Sequence, residues 1–255
     1  MKSSISKDIY RALESIAGGY PTSVIKAHLA DIPRTAFHIS LVLEKNERDC
    51  SLCDLGGGTG FFAVGCAALG MRTVVVDDFN DPGNVVYGQG PQHLQKKYGV
   101  EVLCQDLTGT PLTFAPGVFD VVTSFDSMEH WHHSPKRLFR EVMRILKPSG
   151  VFILGVPNCV NLRKRITVPI GFGKWSLMED WYDRETFRGH VREPDIDDLR
   201  YIADDMGLQR VRTFGRNWMA YHRLSGGPAA IIDHILRPFP SLCSDIYLVG
   251  EKAED

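Results

Sequence analysis

From Ser51 onward, short β-branched runs alternate with longer helical patterns, and this alternation restricts the fold more than any other feature. Such alternation indicates a parallel sheet whose strands are joined by crossover helices. The runs are nearly continuous in apolar residues, which is typical of strands covered on both faces. We therefore predict an α/β fold with a doubly wound, mostly parallel, seven-stranded sheet whose last strand is antiparallel. The predicted strands are Ser51–Leu55, Arg72–Asp77, Val100–Gln105, Phe119–Phe125, Val151–Val156, Leu208–Phe214 and Asp245–Gly250.

Helical periodicity fills the intervals and the N-terminal region. The clearest amphipathic helix is predicted over residues 135–147 and is followed by a proline and a glycine that end it. A second helix of the N-terminal region is predicted over residues 35–44. A first helix is predicted before it, because Ile5, Ile9, Leu13 and Ile16 would lie on one helical face.

The domain organisation follows from a region without any clean period. Residues 157–193 are irregular and carry Asn, Arg, Gly and Trp between two core elements. We predict a single domain over residues 1–255, in which residues 1–48 form a helical cap. Residues 157–193 are predicted to be an inserted substrate lid, so that both segments cover the carboxyl ends of the strands.

Charge and cysteine usage exclude several classes of protein. The formal net charge of −2 favours neither nucleic acid nor an anionic membrane surface, so a small-molecule substrate is expected. Cys50 and Cys53 form a C-x-x-C pair, but no second Cys or His pair follows at zinc-site spacing. The first residues lack an apolar signal core, and no apolar run approaches the roughly 20 residues that span a bilayer. We expect a cytoplasmic protein with no membrane span.

A glycine loop follows the first predicted strand. The chain turns at Asp54 through Gly56, Gly58 and Gly60 into a helix, where backbone can approach a ligand closely and the helix N-terminus attracts an anion. Phe61 occupies the third glycine position of the dinucleotide fingerprint, and the lysine of a P-loop is missing. A carboxylate or a phosphate would both suit this loop.

Acidic residues at the following strand ends narrow the choice of ligand. Asp77 ends the second strand, and Asp106 follows the third. Because the carboxyl ends of parallel strands meet at one edge, both should converge with Asp54 on one crevice. Three acids disfavour a polyphosphate and favour a ligand that carries hydroxyls, an amine and a sulfonium. The ligand predicted on these grounds is the methyl donor S-adenosylmethionine.

The order of these motifs resembles the class I S-adenosylmethionine-dependent methyltransferases, and within them the type 11/type 23 group. The resemblance covers residues 48–215. It rests on Asp54–Gly60, Asp77, Gln105–Leu107, Phe119–Val122, Ser127–His130 and Glu141–Gly150.

The resemblance implies a Rossmann-like methyltransferase fold with defined roles for the cofactor residues. Asp54 and the glycines Gly56, Gly58 and Gly60 would hold the methionine part of S-adenosylmethionine. Asp77 would bind the ribose hydroxyls, with Asp78 close by. The adenine would be bordered by Asp106 and Leu107, and Phe125 would line the pocket near the sulfonium. The product would be S-adenosyl-L-homocysteine.

The acceptor side is less constrained. His130, just past the fourth strand, is the candidate general base for O-methylation, and ordering of its loop is the alternative role. No metal site is predicted there, because neighbouring residues rarely point at one centre. The lid segment resembles methyltransferases found alongside polysaccharide and glycolipid assembly, which implies a saccharide or glycolipid precursor. The candidate substrate residues are Trp175, Trp181, His190 and Arg192.

Two other functions remain open from the sequence. One is an NAD-dependent oxidoreductase on a similar sheet, and the other is a catalytically silent protein that binds S-adenosylmethionine. The sequence does not distinguish an oxygen, nitrogen or carbon acceptor, and the oligomeric state is open.

Overall fold

The computed structural model describes residues 2–80, 95–173, 178–218 and 227–254. Their strands form one seven-stranded sheet in the order β3-β2-β1-β4-β5-β7-β6. Pairing is parallel from β3 through β5, and β7 runs antiparallel to both β5 and β6. The prediction of a mostly parallel sheet with an antiparallel last strand is confirmed. The strands are β1 Ser51–Leu55, β2 Arg72–Asp77, β3 Glu101–Cys104, β4 Phe119–Phe125, β5 Leu146–Pro157, β6 Gln209–Arg216 and β7 Asp245–Glu251.

Helices lie on both faces of this sheet. Their bounds are α1 Lys2–Ala17, α2 Thr22–Val42, α3 Phe61–Ala68, α4 Lys136–Ile145, α5 Leu162–Thr167, α6 Met178–Tyr182, α7 Ile196–Met206 and α8 Gly227–Leu236. Two 3-10 turns, Met128–His130 and Pro240–Leu242, complete the described elements. The start of α7 is fixed by a capping box between Asp195 and Asp198, and its end by Gly207 in the left-handed region.

The strands bury side chains on both faces, which explains their continuous apolar sequence. Leu52 of β1 packs in one core with Leu13 of α1 and Ile39 of α2. The next residue, Cys53, belongs to the second core, with Val142 of α4. Successive residues of a strand point to opposite faces, so each buried strand needs apolar residues at every position.

The predicted start of the second N-terminal helix was wrong. The pattern indicated a helix over residues 35–44, whereas α2 begins at Thr22 and includes Pro33 in its interior. A proline inside a helix removes one backbone hydrogen bond and normally marks a boundary. Here Val24 and Ile32, on the N-terminal side of Pro33, are buried in the core, and this packing holds the helix together.

The N-terminal helices pack on α3 and on one face of the sheet, where they share a core with Leu52 of β1 and Phe61 of α3. Ile9, Leu13 and Ile16 of α1 are buried against this layer, while the side chain of Ile5 lies outside the described residues. None of the helices in the described ranges combines the length and apolar character needed to cross a membrane.

Candidate active site

The glycine loop between β1 and α3 has a backbone conformation that residues with a side chain adopt only at an energetic cost. Gly56, Gly58 and Gly60 all have positive φ angles, of 74°, 52° and 73°. A Cβ on Gly56 would overlap the Oγ of Ser127, and a Cβ on Gly57 would lie 2.5 Å from Oδ2 of Asp54. The loop is therefore pressed between the end of β1 and the segment after β4, and glycine is required by both conformation and space.

Asp77 joins the end of β2 to the glycine loop. Its Oδ2 accepts a hydrogen bond from the backbone N–H of Gly58 at 2.8 Å, and its Oδ1 accepts one from Phe79 at 2.6 Å. Hydrogen bonds from backbone N–H groups hold the carboxylate in a fixed orientation at the sheet edge.

Asp54 is buried beneath the loop. Its Oδ1 accepts a hydrogen bond from the Thr123 hydroxyl at 2.8 Å. Burial raises the pKa of Asp54 to about 7; the Thr123 hydrogen bond lowers it in part, and the neighbouring charge of Asp77 raises it further. A buried carboxyl with this pKa binds a proton near neutrality unless a cation lies beside it.

A cavity of about 440 Å³ opens at the carboxyl ends of the strands. Six of the residues predicted to bind the cofactor line it together: Gly56, Gly58, Asp77, Asp78, Asp106 and Leu107. The far wall is formed by His130 to His133 and by Thr186 and Arg188 of the lid segment. The predicted lid segment contacts the strand ends, because Arg188 lies 3.2 Å from the Asp78 carboxylate.

A second cavity, of about 320 Å³, lies on the other side of the glycine loop and shares Gly56 and Asp126 with the first. Asp54 and Phe125, two further predicted cofactor residues, line this smaller cavity. Among the described lining residues, Gly60 belongs to neither cavity; the side chain of Gln95 covers it, 2.5 Å from where its Cβ would lie.

Helix α2 supplies the polar wall of the smaller cavity. Arg34 pairs with Asp126 at 2.6 Å and with Asp31 at 2.8 Å, which joins the helix to the end of β4. The His38 ring stacks on Phe125, with centroids 3.9 Å apart, and its Nε2 lies 2.9 Å from the Tyr247 hydroxyl. Burial lowers the pKa of His38 well below its usual value, and Arg34 and Arg216 lower it further, so the ring is neutral.

The turn after β4 brings three potential ligand groups together. The carboxylate of Glu129 and the rings of His130 and His190 place one nitrogen or oxygen atom each within 4.8 Å of one another. The His130 Nδ1–H donates to the Arg188 carbonyl at 2.8 Å. The lid is attached to this turn because the Val191 N–H donates to the Glu129 carbonyl at 2.7 Å.

The predicted substrate residues are placed in different surroundings. His190 lies edge-on to His130, with ring centroids 4.8 Å apart. The Trp181 side chain is 60% exposed on α6, and Arg192 pairs with Asp198 at 3.2 Å on the surface. Trp175 lies outside the described residues. Of the described candidates, only His190 contacts a residue that lines the larger cavity, His130.

Sequence reasoning missed the contribution of α2. Asp31, Arg34, Thr35 and His38 line the smaller cavity and follow one another at helical spacing. That spacing was the available signal, because a polar stripe on a helix that is otherwise buried indicates a face turned toward a cavity. Asp126 was missed as well, although it directly follows the predicted strand.

Comparisons with known proteins point to one family. A family model described as a methyltransferase domain matches residues 29–213. A relative from Mycolicibacterium gilvum named "Uncharacterized methyltransferase" is 32% identical over 107 residues, or 42% of this chain and 39% of the relative. "Probable S-adenosylmethionine-dependent methyltransferase Rv3030" of Mycobacterium tuberculosis is 27% identical over 170 residues, or 66% of this chain and 51% of the relative. The chain thus spans about two fifths to one half of these curated relatives.

Solved structures share the architecture. A SAM-dependent methyltransferase from Thermotoga maritima, described as a candidate histamine N-methyltransferase, matches with a TM-score of 0.59 at 16% sequence identity. The match covers 96% of this chain and 99% of that one. At this identity the likeness shows the fold alone.

Proposed function

This chain belongs to the class I S-adenosylmethionine-dependent methyltransferase family, and we propose that it methylates a hydroxyl oxygen of a small, sugar-bearing acceptor. Membership in the family favours S-adenosylmethionine over the nicotinamide cofactor of the oxidoreductase alternative. When bound, S-adenosylmethionine supplies an electrophilic methyl carbon, which its sulfur releases to the acceptor with S-adenosylhomocysteine as product.

The glycine loop and its acidic neighbours fit this cofactor. Gly56 and Gly58 line the larger cavity with backbone alone, so a ligand can approach the loop closely. Asp77, Asp78 and Asp106 line the larger cavity beside it. Carboxylates accept hydrogen bonds from ribose hydroxyls and an adenine amino group, and they repel a polyphosphate. This arrangement is the observation that carries the assignment of the donor.

The methionine end has matching charges in the smaller cavity. Asp54 and Asp126 are carboxylates suited to an ammonium group, and Arg34 is a guanidinium suited to a carboxylate. Arg34 keeps its charge: burial lowers its pKa, but the carboxylates of Asp126 and Asp31 raise it by more. Both ends of an amino acid thus have partners beside the loop.

His130 supports oxygen as the acceptor atom. Its Nδ1–H is donated to a backbone carbonyl, which directs Nε2 away from that contact, and the residue lines the larger cavity. An imidazole in this position can activate a hydroxyl, whereas a neutral amine needs no such help. The candidate activity of the Thermotoga maritima protein is N-methylation, and nitrogen is therefore the competing acceptor.

The lid supports an amphiphilic acceptor such as a glycolipid precursor. Its exposed surface carries large apolar side chains that follow the basic residues Arg163 and Arg165 in the chain. Exposed apolar patches of this kind mark sites of interaction with ligands or lipid. The exposed apolar residues are Ile166, Val168, Ile170, Phe172, Met178, Trp181 and Tyr182.

The proposal is tested by measuring cofactor binding and turnover together. S-adenosylhomocysteine affinity is determined by calorimetry for the wild type, for Asp77→Ala and for Asp197→Ala, an exposed aspartate on α7 outside both cavities. We expect Asp77→Ala to weaken binding about 10- to 100-fold, since hydrogen bonds to charged groups contribute roughly 1.5–3 kcal/mol. Asp197→Ala should bind normally.

Turnover is measured with labelled S-adenosylmethionine against glycolipid, free saccharide, phenol and amine acceptors. Label on the oxygen of a sugar-bearing acceptor supports the proposal, and label on an amine contradicts it. Tight cofactor binding without transfer to any of these acceptors would instead support a catalytically silent binding protein.

A further inference from the structure

We propose that Glu129, His130 and His190 form a binding site for a divalent transition-metal ion beside the larger cavity, whose wall includes His130. Their ligand atoms lie within 4.8 Å of one another. Atoms that ligate one ion at about 2.1 Å lie roughly 3 Å from one another. Side-chain movements of about 1 Å would bring the three ligand atoms to that separation.

Both histidines are oriented as metal ligands commonly are. The Nδ1 of His130 donates to the Arg188 carbonyl at 2.8 Å, and the Nδ1 of His190 lies 2.7 Å from Oε1 of Glu193. Glu193 is itself held by Lys164. A metal-bound histidine typically donates its second N–H to a carbonyl or a carboxylate, which fixes the tautomer and the ring orientation. Since each Nδ1 has one of these partners, the proposed ion would be bound through Nε2 of each ring.

Glu129 supplies an independent observation. The residue is 1% exposed, and its Oε2 has no hydrogen-bond partner within the described ranges. A buried carboxylate oxygen without a partner carries a large desolvation cost that a bound cation would remove. Its surroundings are also acidic, because Asp126, Glu193 and Asp245 all act electrostatically on this carboxyl group.

The ligand set indicates the class of metal. Two imidazole nitrogens and one carboxylate oxygen suit Zn²⁺, Mn²⁺ or Fe²⁺, whereas Mg²⁺ and Ca²⁺ prefer oxygen ligands alone. Three protein ligands leave coordination positions open, which is the arrangement of metal sites that bind a substrate.

A role in catalysis rests on the proposed function. A bound cation lowers the pKa of a coordinated hydroxyl, so an acceptor could lose its proton to water at neutral pH. His130 would then be a ligand of the ion, and the ion would take over the activation of the acceptor hydroxyl that the proposed function assigns to the His130 imidazole.

Binding is measured on the full chain after dialysis against a chelator, by titrating Zn²⁺ in competition with a chromophoric chelator. We expect one equivalent of Zn²⁺ to bind the wild type, with Mg²⁺ far weaker. His190→Gln and Glu129→Gln should each weaken Zn²⁺ binding by about 100-fold or more, because each loses a ligand. His132→Gln is the matched control: His132 is an exposed histidine of the same wall whose ring contacts the Phe187 carbonyl at 3.1 Å. It should bind Zn²⁺ like the wild type.

Circular dichroism and S-adenosylhomocysteine affinity confirm that each variant is folded. Glu129→Gln keeps the shape of the buried side chain, and His190→Gln changes a partly exposed residue of the lid. The proposal is overturned if the wild type binds no stoichiometric Zn²⁺. It is also overturned if His132→Gln weakens binding as much as His190→Gln, or if neither ligand variant changes it. Stoichiometric binding without methyl transfer to an oxygen would leave the metal site intact and contradict only the proposed function.

Discussion

The two sides of the larger cavity are formed by different kinds of chain segment. The donor side consists of the glycine loop and the ends of β2 and β3, and its groups follow their own strands directly. The proposed acceptor side consists of His130 to His133, which follow β4, and of Thr186 and Arg188 in the lid segment, which are far apart in the chain. Backbone conformation and carboxylates shape the first side, whereas side chains from separate segments meet at the second.

Because of this difference, we expect the donor side to be more rigid than the acceptor side. The donor side is fixed by a backbone that tolerates only glycine and by Asp77, which binds the loop N–H of Gly58. The acceptor side is held by a few contacts of the lid, among them the Arg188–Asp78 pair and the hydrogen bond from Val191 to Glu129. Substitutions on the donor side should therefore affect folding and cofactor binding together. Substitutions in the lid should affect only the binding of the acceptor.

The largest effect is expected for Gly56→Ala. The new Cβ would overlap Ser127 Oγ at a position with a φ of +74°. Left-handed conformation costs roughly 1–2 kcal/mol for an L-residue, and forced overlap typically adds about 1–3 kcal/mol. We expect S-adenosylhomocysteine affinity to fall by at least about 100-fold and the free energy of unfolding to fall by about 3 kcal/mol, measured by calorimetry and urea denaturation.

Gly99→Ala is the matched control for that substitution. Gly99 has the same φ of +74°, but nothing lies within 4 Å of where its Cβ would be. The free energy of unfolding of Gly99→Ala should fall only by the roughly 1–2 kcal/mol that the left-handed conformation costs, and the variant should bind S-adenosylhomocysteine normally. Equal losses for the two variants would show that the glycine loop is not held by close packing.

A smaller effect, which depends on pH, is expected for Asp54→Asn. The folded pKa of about 7 lies above the ordinary value of 3.8. The protonated carboxyl therefore stabilises the fold fully below pH 3.8, and this contribution is lost as the pH rises through 7. Between pH 5 and pH 8, the unfolding free energy of Asp54→Asn should rise relative to wild type by roughly 2–3 kcal/mol, measured by urea denaturation.

Asp120→Asn provides the opposite case on the neighbouring strand. Burial alone would raise the pKa of Asp120, but hydrogen bonds from Lys147 and Ser51 hold that pKa at about 2. Asp120 is ionised above about pH 5 in both the folded and the unfolded chain. The difference in unfolding free energy between Asp120→Asn and wild type should therefore be constant from about pH 5 to pH 8. Parallel curves for Asp54→Asn and wild type would contradict a raised pKa at Asp54.

The smallest effect on folding is expected for Trp181→Ser in the lid. Exposed side chains usually change the unfolding free energy by no more than about 0.5 kcal/mol, and cofactor binding should not change. If α6 contacts the acceptor, KM for a glycolipid acceptor should rise several-fold while kcat is retained. Tyr201→Ser, an equally exposed aromatic on α7, should leave KM unchanged. An unchanged KM for Trp181→Ser would exclude α6 from acceptor binding.

The sequence could predict that the candidate cofactor residues converge on one cavity, because sequence neighbours become structural neighbours there. Asp77 and Asp106 each follow a strand, so the parallel sheet alone brings them to the cavity with Gly56. The pairing of Arg34 with Asp126 could not be predicted in this way. It depends on the rotation of α2 about its axis and on a helix that continues through Pro33, which only packing against the core decides.

The sequence by itself determined the sheet, the glycine loop and the acidic strand ends, because each depends on local periodicity and on the common direction of parallel strands. Only the tertiary structure decided that His190 meets Glu129 and His130, while Trp181 stays exposed. The path of an irregular segment is set by long-range contacts, such as the hydrogen bond from Val191 to Glu129, and these leave no periodic pattern in the sequence.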